Sequence, residues 1–422
     1  MLSIAYLVFF LCTVPFAMAR NRMFGLYYSV LYIYSAFSIA GYLYIPGLSE
    51  SIFAYFGNTV GRESLLFTFA SMALFWGVNM MVYRHGGRIK PIVHASHPPV
   101  VPTLGTVVLG IIVLAFCGLL AANFSDLSWY IFEDSDGLPL KTALFIAMYK
   151  IMVGILISGY LSVRSKDIAT GRVFGVLYAI LVLAFLVTSA RLGNRTDPTA
   201  FLLGVIMLEA LSRELRLRTI AWGAFVALFA VFAISAIEIY RYRDGGAGGP
   251  LIERIVRNDY YAPAHMLFAA VAFDFVDPIA VIRSNSANAL ILFGEPYLQQ
   301  TVTQLFRSDI ATRSAGYAFY IFTEGWIFAG PWGALYNAII PTAGLWLWNK
   351  LSSTDNRFAN SLVQMLVASM LINVTRGQSS YFIKYLYTFI LPNIGIAMLL
   401  TGLRFRARRP DTSGIFSPVA AA

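Results

Sequence analysis

Long apolar runs constrain this chain more than any other feature of its sequence. Of its 422 residues, 58% are hydrophobic and only 12% are charged, which leaves a soluble domain of this size too little polar surface to cover itself. On the measure that a bilayer needs about 20 apolar residues per helix, we predict an all-α polytopic membrane protein with about eleven transmembrane helices. The predicted spans are 2–18, 24–45, 64–83, 102–123, 142–162, 173–190, 198–211, 219–238, 326–348, 359–375 and 381–403.

Basic residues in the loops predict how these spans are oriented. Arg and Lys accumulate in short cytoplasmic loops of membrane proteins, and here they cluster in every second loop. This alternation predicts a periplasmic N-terminus and a cytoplasmic C-terminus. The clusters are Arg20 and Arg22; Arg84, Arg88 and Lys90; Arg164, Lys166 and Arg172; Arg213, Arg216 and Arg218; Lys350 and Arg357; and Arg404, Arg406, Arg408 and Arg409. The predicted outer loops are 46–63, 124–141, 191–197, 239–325 and 376–380.

Two of the spans allow a second interpretation. The run at 2–18 also fits a signal peptide, but its charges follow the apolar stretch instead of preceding it. We therefore interpret it as the first transmembrane helix. The span at 198–211 is short for a bilayer, so this helix is either tilted or re-entrant.

Several classes of site are not predicted. Cys12 and Cys117 both lie inside apolar runs, which argues against a disulfide framework and supplies too few ligands for a metal. The net charge of +10 comes largely from Arg and Lys at helix ends, and no aromatic-basic RNA motif accompanies it. We therefore expect no metal, no cofactor and no nucleic-acid partner.

The longest predicted outer loop, 239–325, belongs to the single transmembrane domain 1–422. Its stretch 260–282 is apolar but interrupted by Pro263 and Pro278, so we predict one or two short helices that lie on or dip into the outer leaflet. A second semi-apolar stretch follows at 287–306. Loops of this length are usually functional or disordered, and the aromatic and aliphatic content here argues against disorder.

Arginines on the predicted outer face are the main functional signal. The positive-inside bias normally keeps them out of short outer segments, although it is weak for long translocated loops. One interpretation is that these arginines are solvated surface residues of such a loop, without a functional role. The other is a site for an anionic phosphate or diphosphate, which the planar guanidinium binds with two parallel hydrogen bonds. We select five arginines at the outer ends of spans as substrate-binding candidates: Arg191, Arg195, Arg257, Arg313 and Arg376.

Three residues are candidates for a general base. Glu324 lies in an apolar aromatic run, where an acidic residue is costly and therefore a functional candidate. The alternatives for it are solvation at the interface or a salt bridge to Arg313. His265 is the only histidine in the predicted outer segments, and Asp259 stands close to Arg257. The remaining carboxylate of interest, at 197, precedes a proline and is expected to be a helix N-cap.

Three segments resemble a known family, the bacterial O-antigen or oligosaccharide repeat-unit polymerases of the Wzy type. They are RLGNRTDPTAFLLG at 191–204, GYAFYIFTEGWIFAGPWGALYNAII at 316–340 and RGQSSYFIKYLYTFILPNIG at 376–395. The second is similar to the family's acidic-aromatic stretch before Phe-Gly-x-x-Gly, with Ala329 departing from it. Members are described with two large Arg-rich outer loops, whereas the loop 191–197 is short.

This resemblance implies a metal-independent glycosyltransferase. It would polymerise undecaprenyl-diphosphate-linked oligosaccharides on the periplasmic face of the bacterial inner membrane, for O-antigen or exopolysaccharide synthesis. Membrane lipids and a chain-length regulator protein are the further partners it implies. Two alternatives remain: an O-antigen ligase of the same superfold, and a lipid-linked oligosaccharide flippase or other transporter. Almost all spans lack a central charge, with Lys150 the main exception, which argues against transport.

Overall fold

The computed structural model describes most of the chain, and every regular element in the described residues is helical. This confirms the predicted all-α class. The described residues are 2–44, 48–83, 103–125, 127, 139–164, 171–192, 194, 196–212, 264–290, 298–306, 319–352 and 357–401. The helices are α1 (Leu2–Arg20), α2 (Arg22–Tyr44), α3 (Leu48–Val82), α4 (Thr103–Asn123), α5 (Leu140–Arg164), α6 (Arg172–Arg191), α7 (Thr196–Ser212), α8 (Ala264–Ala272), α9 (Pro278–Ala289), α10 (Leu298–Phe306), α11 (Ile321–Ala329), α12 (Gly333–Ser352), α13 (Arg357–Thr375), α14 (Tyr381–Tyr385) and α15 (Leu391–Thr401).

Four of the described helices are long and apolar enough to cross a membrane. Their candidate segments are Thr59–Val82, Gly105–Asn123, Leu140–Val163 and Arg172–Arg191. They coincide with the third to sixth predicted spans. The predicted eighth span, 219–238, lies outside the described residues, and the total of about eleven spans stays a prediction.

Helix α13 forms the centre of the bundle. It packs against α2, α5, α7 and α12, and every residue from 361 to 372 is buried. A helix buried on all sides is a core helix. Its C-terminal residue, Thr375, is also buried, so the chain that follows starts from a fixed point.

A second, smaller core lies beside this bundle. It joins α8, α9, α10 and α11 to α3 through apolar side chains that include Phe67, Met266 and Trp326. The indole N–H of Trp326 donates to the carbonyl of Ala270 at 3.0 Å. Thus the part of 239–325 that the structure describes contains three short helices before α11, and the first of them, α8, packs on the transmembrane candidate α3.

Two of the predicted boundaries are wrong. The stretch 46–63 was expected to be an outer loop, but α3 begins at Leu48 and continues through it. No proline follows Pro46 in that stretch, so nothing prevents the helix from starting early.

The predicted span 326–348 is also wrong, because the chain reverses direction within it. Helix α11 ends at Ala329, the 3₁₀ turn Gly330–Trp332 follows, and α12 runs back alongside α11. Gly330 has φ of +56°, a conformation that glycine adopts at little cost. The two helices touch at backbone level, because a Cβ at Gly333 would lie 1.7 Å from the carbonyl oxygen of Gly325. The aromatic run therefore forms a helical hairpin instead of entering one continuous helix.

Candidate functional site

The turn that links α13 to α14, residues 376–380, lies between two groups of polar side chains. Its first residue still belongs to the helical pattern, because the backbone N–H of Arg376 donates to the carbonyl of Ile372 at 2.9 Å. Gly377 allows a close approach to α14, since a Cβ there would lie 2.2 Å from Cε2 of Tyr381. The 376–380 turn is therefore compact and holds successive polar residues against different helices.

Glu324, on α11, is fully buried, with 0% of its surface exposed. Its Oε1 accepts a hydrogen bond from Nδ2 of Asn285 at 2.6 Å, and the hydroxyls of Tyr336 and Ser379 also donate to it. Its Oε2 accepts the backbone N–H of Ser379 at 2.8 Å. A buried carboxylate is strongly unfavourable without such donors. The interpretation of Glu324 as solvated at the interface is therefore wrong.

Helix α9 lines the same side of the 376–380 turn with amide and hydroxyl groups. Nδ2 of Asn288 donates to Oγ of Ser380 at 2.7 Å, and Nζ of Lys384 donates to Oδ1 of Asn288 at 2.7 Å. One turn earlier on α9, Ser284 exchanges hydrogen bonds with the amide of Gln378, the shorter at 3.1 Å. Asp277 caps α9 by accepting the N–H of Ala280. The helix is thus held in register with the turn by several polar contacts.

Arg376 faces the other way, toward the start of α7. Its Nη1 donates to Oγ1 of Thr196 at 3.0 Å. This bond joins the C-terminal end of α13 to the N-terminal end of α7. It places the guanidinium at the end of the bundle where α6 ends, at Arg191, and α7 begins.

Asp197 is not the N-cap that the sequence predicts. The helix already begins at Thr196, and Oδ1 of Asn194 accepts the N–H of Thr196 at 3.0 Å. The Asp197 carboxylate in turn accepts Nδ2 of Asn194 at 2.8 Å. Because the proline at position 198 is tolerated throughout the first turn, the helix starts earlier than its position suggests.

The surroundings of Asp197 also change its acidity. The residue lies just before the predicted span 198–211. Burial raises the pKa of its carboxyl to about 6, while hydrogen bonds from Asn194 and Tyr149 and the charge of Lys150 act in the opposite direction. This carboxyl stands next to Thr196, the residue that Arg376 contacts.

The structure brings together only some of the predicted site residues. Arg191 is exposed, and its guanidinium carbon lies 5.6 Å from the centroid of the Phe124 ring. His265 lies in α8, with its side chain outside the described part of the structure. The convergence of the five arginines on one cavity stays a prediction, as does a salt bridge between Glu324 and Arg313. The candidates that lie outside the described residues are Arg195, Arg257, Arg313 and Asp259.

Several residues of this site have no distinguishing signal in the sequence. Asn285, Tyr336 and Ser379 all donate to Glu324, yet none carries a charge or belongs to a chemical motif. The one signal for Ser379 was its place in the Arg-Gly-Gln-Ser-Ser segment. In the residues that the structure describes, no group of three His, Cys, Asp or Glu side chains could hold a metal ion.

Comparisons of this chain with protein-family models, with curated proteins and with solved structures found no match.

Proposed function

We propose that this protein is a membrane glycosyltransferase that joins undecaprenyl-diphosphate-linked oligosaccharides on the periplasmic face of the bacterial inner membrane. The observation that carries the proposal is the 376–380 turn. It positions Arg376 at one end of the helical bundle. The turn itself is hydrogen-bonded, through Ser379, to the buried carboxylate of Glu324. A fixed guanidinium at the end of an apolar bundle suits a substrate with a diphosphate at the interface and a lipid tail in the bilayer.

The chemistry needs two things from the protein. A hydroxyl oxygen of the acceptor sugar attacks the anomeric carbon of the donor, and the bond from that carbon to the diphosphate oxygen breaks. The leaving diphosphate takes the electron pair, and Arg376 would stabilise the negative charge that develops on it. The hydroxyl proton passes to a general base, for which Glu324, His265 and Asp259 are the candidates.

The exposed faces of the helices support a membrane location. On α6, the exposed residues recur at the spacing of one helix face, as a lipid-facing stripe would. The residues of this stripe include Val173, Val176, Ile180, Leu183 and Val187. Helix α9 exposes Ile279 and Ile282 together with Arg283, and it buries Ser284 and Asn288 against the 376–380 turn.

The orientation can be tested at two exposed positions on opposite sides of α5: Lys141 near its start, and Gly171 after its end, just before α6. We expect Lys141→Cys, in a variant with Cys12 and Cys117 replaced by alanine, to react with a membrane-impermeant maleimide in intact spheroplasts. Gly171→Cys in the same background should react only after permeabilisation, because α5 separates the two positions by a predicted span. Reaction of both from the same side would contradict the topology.

The activity itself is tested with purified protein and lipid-linked repeat units. Polymerisation gives a ladder of products on a gel, each longer by one repeat unit. A ligase would instead transfer the glycan only when a second lipid acceptor is added, and would give no ladder without it. Absence of both products with correctly folded protein would contradict a glycosyltransferase.

One observation favours the transporter as a second candidate. Discontinuous helices and buried ionisable residues are common at transporter binding sites, and α11 is a nine-residue helix that carries the buried Glu324. A flippase would move lipid-linked oligosaccharide across the bilayer of proteoliposomes without lengthening the oligosaccharide. Measurement of both transbilayer movement and chain length in one preparation separates the two functions.

A further inference from the structure

The donors around Glu324 come from three different parts of the fold. Asn285 belongs to α9, Tyr336 to α12, and Ser379 to the 376–380 turn. Each is bonded to the same carboxylate on α11. In addition, Oγ of Ser379 and the hydroxyl of Tyr336 are 3.2 Å apart, so the donors also contact each other. One carboxylate therefore ties together a short helix, the hairpin and the turn.

Ser379 is held more firmly than the other partners. Both its backbone N–H and its hydroxyl donate to Glu324. It stands three residues after Arg376, and the intervening Gly377 and Gln378 are buried. The turn is thus fixed at its start by α13 and near its end by Glu324, and the position of Arg376 depends on both.

The same arrangement is unsuited to a general base. A base must come within hydrogen-bond distance of the proton that it removes. Glu324 has no exposed surface, and both of its oxygens already accept hydrogen bonds from protein groups. We infer that Glu324 is a positioning residue, which fixes the 376–380 turn and through it the guanidinium of Arg376, and that it is not the general base.

The anchoring part of this inference is independent of the activity, whereas the effect on catalysis rests on the proposed function. Glu324→Gln tests both. The glutamine places an NH₂ group where one carboxylate oxygen accepted hydrogen bonds, so a donor then faces a donor and the turn loses a partner. Glu63→Gln is the matched control, because it removes the same charge from an exposed position on α3.

The first measurement is hydrogen exchange by mass spectrometry on peptides that cover 376–385. We expect Glu324→Gln to speed exchange there by about tenfold or more, with little change in α4 or α6. Glu63→Gln should leave it unchanged. Ser379→Ala keeps the carboxylate of Glu324 but removes the hydroxyl that donates to it. This variant replaces Glu324→Gln in the experiment if Glu324→Gln does not fold. We expect a smaller increase for Ser379→Ala, and unchanged exchange in both folded variants would overturn the anchor.

The second measurement separates a positioning residue from a base. For a positioning residue, Glu324→Gln should lower kcat/KM for the lipid-linked donor by about 10-fold to 100-fold, because Arg376 loses its place beside the leaving diphosphate, and the pH profile of kcat/KM should keep its shape. Loss of the limb of the pH profile that reports a base would assign the base to Glu324 and overturn the inference. If the wild-type protein makes no polymer, the proposed function fails, but the exchange experiment still decides whether Glu324 anchors the turn.

Discussion

Replacing Arg376 by alanine should reduce the rate of polymer formation by about 10²–10³-fold, the usual effect of removing one donor that stabilises a leaving anion. Arg376→Lys should recover only part of this loss. Lysine keeps the charge but cannot present the planar fork that binds two phosphate oxygens together. The rate is measured from the product ladder at saturating and at limiting donor, so that an effect on kcat is distinguished from one on KM.

The matched control for this substitution is Arg172→Ala. Arg172 is an exposed arginine at a helix end, and it begins α6 at the end opposite to Arg191. Its loss should leave the rate within about twofold, because surface substitutions away from a site have small effects. Equal losses in both variants would indicate a general effect of charge. Normal ladders from Arg376→Ala would contradict a diphosphate site at this turn.

The long apolar helices were predicted from the sequence because their length has a physical cause. The predicted spans 102–123, 142–162 and 173–190 match α4, α5 and α6 to within a few residues. A helix must be about 20 residues long to cross the bilayer core, so hydropathy reports its ends directly. Hydropathy does not report the ends of α11 and α12 in the same way. Its whole stretch is apolar, and hydropathy does not distinguish a chain that continues from one that turns back at Gly330.

Only the charged residues of the candidate site were predicted from the sequence. Glu324 and Arg376 were selected because each charge is out of place in an apolar or outer segment. The bond between Glu324 and Ser379, three residues after Arg376, was not predicted, because it depends on how the hairpin packs against a turn 55 residues later in the chain. Likewise, Asn285 donates to Glu324 from a helix 39 residues earlier. Neutral amides and hydroxyls become recognisable as site residues only when the fold brings them to a buried charge.

The hairpin itself depends on the close contact between Gly325 and Gly333. A Cβ at Gly333 would lie 1.7 Å from the carbonyl oxygen of Gly325 and 2.2 Å from its carbonyl carbon. Both of these are backbone atoms, so no side chain can move aside to make room. Small residues at such positions are what allow two membrane helices to approach closely. We therefore expect Gly333→Ala to force α11 away from α12 and to lower the free energy of unfolding by more than about 3 kcal/mol.

The measurement is the thermal unfolding midpoint of purified protein in detergent, with Gly118→Ala as the control. Gly118 lies inside α4 and a Cβ there meets nothing within 4 Å, so alanine should be neutral or stabilise the helix by about 0.5–1 kcal/mol. Gly333→Ala should lower Tm by about 5 °C or more. It should also weaken the hydrogen bond from Nδ2 of Asn337 to the carbonyl of Phe322, which joins the same two helices at 3.0 Å.

Because Glu324 is on α11 and Tyr336 on α12, separation of the helices would also loosen the 376–380 turn. Equal Tm values for the two glycine variants would show that α11 and α12 do not pack at this distance, and the geometry around Glu324 would then need to be different.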